Sequence, residues 1–218
     1  MNTLNEKKDF HPLWIYPTGM IVLQIIIGLV VAFALGISGN TSNLENILNT
    51  LVPLGCGLLV FITFFIMYFS KAKAELKRLT KKHVLTIFIV LIIALVLNYA
   101  TTTLIQSFNI TMSNQDSVSN LLNSYLIPTI ILATVLAPFS EEIVFRYSLG
   151  SLIKNKIVFV IISTILFSII HGMGISLIPY IIMGISFSII YLKTDRNFMA
   201  SYIAHVINNI VAVIFMLI

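Results

Sequence analysis

The chain has 218 residues, of which 58% are hydrophobic and only 10% are charged, with a net charge of +5 and a mean hydropathy of +1.02. Globular domains carry about a quarter charged residues, so this composition excludes an ordinary water-soluble fold and indicates an integral membrane protein. The positive charge does not indicate nucleic-acid binding, because the basic residues lie in linkers and form no face that could read a nucleic acid.

Apolar runs long enough to cross a bilayer recur along the whole chain. Only a helix satisfies its own backbone in lipid, and about 20 residues span the hydrocarbon core. The first run lacks a small-residue cleavage site, so it predicts an uncleaved membrane helix. The short linkers predict one all-α integral membrane domain over 1–218, a polytopic helical bundle. Seven spans are predicted (eight if one is broken), near 14–37, 47–70, 84–108, 121–152, 157–173, 175–192 and 198–218.

Basic residues alternate between the linkers and predict the orientation. Twelve of the thirteen lysines and arginines lie before the first run, in 71–82, in 154–156 or in 193–196. The alternate linkers, 38–46, 109–120 and 172–176, contain none. By the positive-inside rule the N-terminus is cytoplasmic and the C-terminus external. The lipid bilayer is therefore an expected partner of the chain, and nucleic acid is not.

The fourth run, 121–152, is long and carries Pro128 and Pro138. Proline removes a backbone donor, so Pro138 predicts a kink or a restart of the helix. Irregular backbone at membrane depth is tolerated only where protein buries it or where it lines a wet cavity. The pattern therefore predicts a cavity beside this span.

Five ionisable residues lie inside the apolar runs, where ionised groups are costly. They are Glu141, Glu142 and Arg146 in the fourth run, His171 in the fifth and His205 in the seventh. A charge at a helix centre costs about 2.5–3.5 kcal/mol on insertion scales, so such residues are candidates for function. At about 1.5 Å per residue from the cytoplasmic ends, Glu141, His171 and His205 all fall at middle depths and could share one cavity.

The spacing of these residues suggests their chemistry. Glu142 and Arg146 are one helical turn apart and can form an ion pair, whereas Glu141 is rotated by about 100° and is expected to stay unpaired. An unpaired carboxylate can act as general base toward water, and a histidine can share that task or protonate a leaving amine. A second histidine with an amide can stabilise an oxyanion. Two further pairs share this one-turn spacing, Phe167 with His171 and His205 with Asn209.

A purely structural interpretation remains open for some of these groups. Glu142 and Arg146 can form an ion pair that only stabilises the bundle, and an intramembrane histidine such as His171 is often a hydrogen-bonded contact between helices. Two histidines, an asparagine and an unpaired glutamate on three separate spans favour a catalytic site.

The three spans carry motifs that resemble those of the CPBP family of intramembrane proteases, also called the CAAX protease and bacteriocin-processing or Abi family. The family motifs E-E-x-x-x-R, F-x-x-x-H and H-x-x-x-N occur here in that order as EEIVFR (141–146), FSIIH (167–171) and HVINN (205–209). The region carrying them covers 126–218, and the first three spans match only as membrane helices.

The resemblance implies a role for each matching residue. Glu141 would activate water with the help of His171, and His205 and Asn209 would stabilise the oxyanion, with Glu142, Arg146 and Phe167 supporting them. No cofactor is expected. If a metal takes part, the resemblance offers Glu141, His171 and His205 as a zinc set. The implied substrate is a peptide or membrane-protein precursor, as in bacteriocin maturation, signal-peptide processing or self-immunity.

Two other functions are compatible with the sequence. A non-catalytic immunity or scaffold protein of the same fold would bind a peptide or a membrane partner. A proton-coupled transporter would also use buried Glu and His, but no internal repeat supports it. The depth of His205 leads us to expect that the cavity opens between helices or toward the cytoplasm. Oligomeric state, substrate and cleavage site are not encoded in any recognisable pattern.

Overall fold

A computed structural model describes residues 11–38, 44, 47–110 and 113–218. Lys7, Lys8 and most of the 38–46 linker, which entered the predicted orientation, lie outside these residues. The described chain is almost entirely helical, and we number its helices in chain order: α1 His11–Ile37, α2 Val52–Lys77, α3 Lys81–Ser107, α4 Ser113–Ser124, α5 Leu126–Leu152, α6 Lys156–Ile169, α7 Gly174–Lys193 and α8 Phe198–Leu217.

The polytopic helical bundle predicted from hydropathy is confirmed. Six of the helices, α1, α2, α3, α5, α7 and α8, are long and apolar enough to cross a membrane. The fifth predicted span is shorter than expected, since α6 has only 14 residues and ends at Ile169. At about 1.5 Å per residue α6 measures about 21 Å, less than the roughly 30 Å hydrocarbon core. The residues after it, including His171, therefore form a turn at membrane depth.

The fourth predicted span is two helices. The polar residues before Tyr125 form the separate helix α4, and α5 begins at Leu126. Pro138 does not restart α5, which runs on to Leu152. Instead Leu132–Leu136 just before the proline is π-helical, and a second π-helical segment covers Ile143–Ser148. Glu141 and Glu142 thus lie on the short α-helical stretch between two irregular segments, which is tolerated in membranes where protein or a cavity adjoins it.

Pro138 also explains a contact between α5 and α8. The Ala137 N–H donates to Leu132 O, and Pro138 has no N–H, so neither residue supplies a donor for the Ala133 carbonyl. Asn209 of α8 supplies it instead, with 2.9 Å between its Nδ2 and Ala133 O. The proline and the asparagine therefore fix the position of α8 against α5.

The N-terminal end of α8 is held by α2. Glu75 is buried, and its Oε2 accepts a hydrogen bond from the Phe198 N–H at 2.7 Å. Asn197 caps α8 through the Ala200 N–H, and its Nδ2 donates to the Glu75 carbonyl at 2.8 Å. An acidic group at a helix N-terminus also complements the helix dipole. His205 lies two helical turns further along α8 from this anchored end.

Candidate active site

Three of the predicted site residues come together in the middle of the bundle. The Oε2 atom of Glu141 lies 3.7 Å from Nε2 of His171 and 3.8 Å from Nε2 of His205. Oε2 is buried and has no hydrogen-bond partner among the described residues. The expectation that Glu141 is unpaired is therefore only partly right, because it has no cation on its own helix but faces two imidazoles. Both distances are longer than a hydrogen bond, so neither imidazole donates directly to Oε2.

The hydrogen bonds of His171 assign its tautomer. Nδ1 lies 2.7 Å from the carbonyl oxygen of Phe167, one turn earlier. A carbonyl only accepts, so Nδ1 carries the proton and Nε2 presents a lone pair toward Glu141 in the neutral ring. The turn that follows α6 makes this possible, because the helix ends at Ile169 and leaves the Phe167 carbonyl for the side chain.

His205 connects Glu141 to the predicted ion pair. Its Nδ1 lies 3.0 Å from Oε1 of Glu142, while Oε2 of Glu142 lies 3.3 Å from Nε of Arg146. The pair that the i, i+4 spacing predicts is thus present, but Glu142 serves two partners. Glu142 and Arg146 are completely buried, at 0% exposure each. A buried charge needs compensation, so this network is closely coupled.

Arg146 is also held by aromatic rings and by a backbone carbonyl. Its guanidinium lies 4.7 Å from the ring centroid of Phe167 and 5.4 Å from that of Phe187. Nη2 donates to the Gly184 carbonyl at 3.2 Å. Phe167, predicted from its motif, therefore contacts this supporting residue, and its ring also contacts both histidines, with centroids 4.6 Å from that of His171 and 5.6 Å from that of His205.

Asn209 lies in the same cavity but does not contact Glu141 directly. One amide hydrogen is held by the Ala133 carbonyl, and Oδ1 accepts from Asn208 at 2.9 Å. The second amide hydrogen is still available to a ligand, since the side-chain amide has two. Asn209 therefore combines a structural contact with a place on the cavity wall.

The sequence analysis did not identify Tyr16, which joins the site from α1. Its hydroxyl donates to Oε1 of Glu141 at 3.5 Å, and its ring packs edge-on against Phe145. Nothing in the sequence marks it, because a tyrosine near a membrane surface is common in first spans.

Two aromatic partners of the histidines were also missed. Tyr180 stacks on His171 with 5.0 Å between ring centroids, and Phe187 stacks on His205 at 4.5 Å. Both come from α7, a span on which the sequence analysis found no candidate residue. Stacking fixes the planes of the two imidazoles, so α7 orients the site through these rings as well as through the Gly184 carbonyl that binds Arg146.

Glu141, His171 and His205, the three residues considered as a zinc set, face one gap in the bundle. Within the described part of the chain no group of three His, Cys, Asp or Glu side chains is arranged to hold a metal ion. His205 directs Nδ1 at the Glu142 carboxylate and Nε2 at the gap, an orientation that serves a metal-free site and a zinc ligand equally well.

A cavity of about 260 Å³ adjoins the site. Glu141, His171, His205 and Asn209 all line it, and most of the remaining wall is apolar. Along α5 it extends from Glu141 back toward Thr129, which is away from the cytoplasmic end of that helix. The sequence analysis expected an opening between helices or toward the cytoplasm, and this cavity leads away from the basic linkers.

The arrangement can support hydrolysis. A carboxylate and an imidazole lone pair face one gap from two sides, and a second imidazole backed by a carboxylate completes its wall. Attack of water on a carbonyl requires a general base and a hydrogen-bond donor close to the same point.

Comparison with known proteins finds a matching family model and related bacterial sequences. A family model described as type II CAAX prenyl endopeptidase Rce1-like matches residues 123–211. UPF0177 protein YxdF of Lactococcus lactis subsp. lactis is 31% identical over 155 residues, 67% of this chain and 86% of that protein. An uncharacterized protein of Mycoplasma capricolum subsp. capricolum is 32% identical over 93 residues, 41% of this chain but 28% of that protein. The chain thus spans less than a third of the Mycoplasma relative. No solved structure matches the chain.

Proposed function

The chain belongs to the CPBP family of CAAX-protease-like intramembrane proteases, and on that premise we propose that it is an endopeptidase in which Glu141 activates water. The contact set of Glu141 is the observation that carries this proposal. Its Oε2 faces two imidazole nitrogens at 3.7 and 3.8 Å on the wall of a cavity. A structural ion pair would not need such an arrangement around a carboxylate.

The first step is the attack of water on the scissile carbonyl. A water between Glu141 and His171 gives one hydrogen bond to each, and Glu141 takes its proton as the new carbon–oxygen bond forms. His171 orients the water through the lone pair on Nε2. The carbon–nitrogen bond then breaks, and Glu141 returns the proton to the leaving amine. Atoms and protons balance without any further reactant.

The oxyanion of the intermediate is stabilised by His205 and Asn209. Two carboxylates and one guanidinium leave one negative charge in the buried group, which one imidazolium would neutralise. His205 is within 3.8 Å of both Glu141 and Glu142, so it is the better placed of the two histidines. Its Nε2–H and the second amide hydrogen of Asn209 would then donate to the oxyanion, an effect often worth 10²–10³ in rate.

The substrate that we propose is a small peptide or membrane-associated precursor, of the kind cut in bacteriocin or signal-peptide processing or in self-immunity. The cavity supports this size, because about 260 Å³ is just below the usual range of roughly 300–1,000 Å³ for small-ligand sites. A folded domain could not enter it.

The test compares wild type with Glu141→Gln in the native host at matched membrane abundance. We expect mass spectrometry of membrane and secreted fractions to find peptides that form only with wild type. Glu6→Gln makes the same chemical change in the polar N-terminal segment and serves as the matched control. Purified Glu141→Gln must also show wild-type thermal unfolding in detergent, so that a loss of peptides reports chemistry and not folding.

Identical peptide profiles for wild type and Glu141→Gln would contradict the proposal. If the biological phenotype also persisted in Glu141→Gln, the non-catalytic immunity or scaffold function would replace it.

A further inference from the structure

The cavity lies entirely on one side of the site. On α8 it begins at His205 and continues through Ala212 and Val213 to Met216, near the end of the helix. That stretch of α8 measures about 16 Å at 1.5 Å per residue. It leads toward the C-terminal end of α8, away from the basic linker 193–196.

The residues that other helices contribute to the cavity wall extend from the site toward the same side of the bundle. From α2 the lining residue is Leu54, at the start of the helix, while the basic residues are at its end. From α3 it is Asn98, again in the half remote from the basic linkers. From α7 the lining residues run from Pro179 in the remote half to Phe187, which stacks on His205 and marks the inner end of the cavity. The polar helix α4, on the same side, adds Gln115. The positive-inside rule makes this side external.

The cytoplasmic side of the site is closed by packed groups. The completely buried pair Glu142–Arg146 lies one turn toward the cytoplasm from Glu141, with the rings of Phe167 and Phe187 around the guanidinium. A second cavity of about 370 Å³ does exist at the basic end, lined by Lys71, Tyr147 and Ser151 among others. Within the described chain, none of the site residues lines that second cavity.

We propose that the substrate reaches Glu141 from the external face, as an extended apolar peptide segment that lies along α8 between Met216 and His205. This inference rests on the proposed endopeptidase function and adds the side and the chemistry of its substrate. A strand rises about 3.3 Å per residue, so 16 Å accommodates about five residues.

The wall of the cavity fits such a segment and disfavours an acidic one. Leu54, Leu121, Leu132, Met183 and Val213 present apolar surface. Among the residues that the structure describes, no lysine or arginine lines it, so an acidic side chain would enter without a partner. Asn98, Gln115 and Asn208 supply amides, which both donate to and accept from peptide groups.

The side of access can be measured without any cleavage. Cys56 is completely buried, and Cys56→Ala gives a background for single cysteines. In that background Ala212→Cys places a thiol on the cavity wall, and Ser151→Cys places one in the cavity at the basic end. A charged, membrane-impermeant methanethiosulfonate is added to intact cells and, separately, to inside-out vesicles.

We expect Ala212→Cys to react at least tenfold faster in cells than in inside-out vesicles, and Ser151→Cys to show the reverse. Reaction of Ala212→Cys only in inside-out vesicles, or in neither preparation while Ser151→Cys reacts normally, would overturn external access. Because labelling does not need catalysis, this result is independent of whether Glu141 hydrolyses peptides.

The chemistry of the substrate is tested by protection in the added background Glu141→Gln. A blocked hexapeptide of alternating leucine and alanine should slow external labelling of Ala212→Cys severalfold. The same peptide with glutamate in place of leucine should not. Equal protection by both peptides, or by neither, would overturn the apolar peptide assignment. Protection by the leucine peptide together with identical peptide profiles for wild type and Glu141→Gln would instead contradict only the proposed catalysis.

Discussion

Glu142 contacts both the cation on its own helix and the histidine of α8, so it links stability to activity. Glu142→Gln leaves Arg146 buried without its carboxylate, and removal of one partner from a buried pair costs about 3–5 kcal/mol. We expect a fall of this size in the free energy of unfolding, measured in detergent. Combined with Arg146→Met, which removes the charge left behind, the variant should regain most of the stability.

The double variant should nevertheless cleave poorly, because His205 has lost the carboxylate that holds its Nδ1 proton. Full activity in a stable double variant would show that Glu142 only balances the charge of Arg146.

Tyr16 joins α1 to the catalytic carboxylate. Tyr16→Phe removes the hydroxyl that donates to Oε1 of Glu141 at 3.5 Å. A hydrogen bond to a charged group is worth about 1.5–3 kcal/mol, and at this long distance we expect less. Initial cleavage rates should fall by up to about tenfold with unchanged thermal unfolding. Tyr99→Phe, at an exposed tyrosine of α3, is the matched control and should leave the rate unchanged.

Metal removal tests whether the side chains activate the water without a metal ion. We expect purified protein dialysed against dipicolinate to keep its initial cleavage rate, because Glu141 and His171 activate the water by themselves. A loss of activity that added zinc restores, and magnesium does not, would contradict this mechanism.

The ionisable groups of the site were predictable from the sequence, whereas three of its aromatic contacts were not. Glu141, His171 and His205 stand out because an ionisable group in an apolar run is costly and needs a reason. Tyr16, Tyr180 and Phe187 are ordinary aromatic residues in apolar spans. Their contacts with the site depend on which helix faces are neighbours, a property that hydropathy does not contain.

At the scale of helices, the contact between α5 and α8 can be separated into its two causes. Asn209→Ala leaves the Ala133 carbonyl without its donor and should destabilise the protein by about 1–3 kcal/mol. In the background Pro138→Ala, the new backbone N–H can serve a carbonyl of the preceding turn. The same asparagine change should then cost less. Thermal unfolding of the four proteins in detergent gives the coupling energy, for which we expect about 1 kcal/mol.

A coupling near zero would contradict the link between the proline and the asparagine. Asn209 would then act only on the cavity side, and Asn209→Ala should lower cleavage without changing unfolding.

Helix positions followed from hydropathy, but their internal geometry did not. Six of the seven predicted spans correspond to long apolar helices, because about 20 apolar residues are recognisable whatever their neighbours. The π-helical segments around Glu141 and the end of α6 at Ile169 depend on contacts between helices. The close approach of α6 to α7 shows this, since a Cβ on Gly184 would lie 3.2 Å from the Cα of Thr164.

For the whole molecule, the distribution of basic residues predicts an external C-terminus. Alkaline phosphatase fused after Ile218 should be active in cells, and green fluorescent protein at the same position should not fluoresce. Fusions after Lys77, at the basic end of α2, should give the opposite result and serve as the control. Reversed activities would show that the bundle has the opposite orientation in the membrane. The 260 Å³ cavity would then face the cytoplasm.

The one-sided cavity has an electrical consequence. Water that enters it from outside brings the external potential close to Glu141, so most of the transmembrane voltage falls across the packed layer below, about 16 Å thick to the end of α5. A full crossing would change the energy of one elementary charge by about 2.3 kcal/mol per 100 mV. A proton that moves between external water and Glu141 crosses little of this field, so hydrolysis should proceed at the same rate in energised and de-energised membranes.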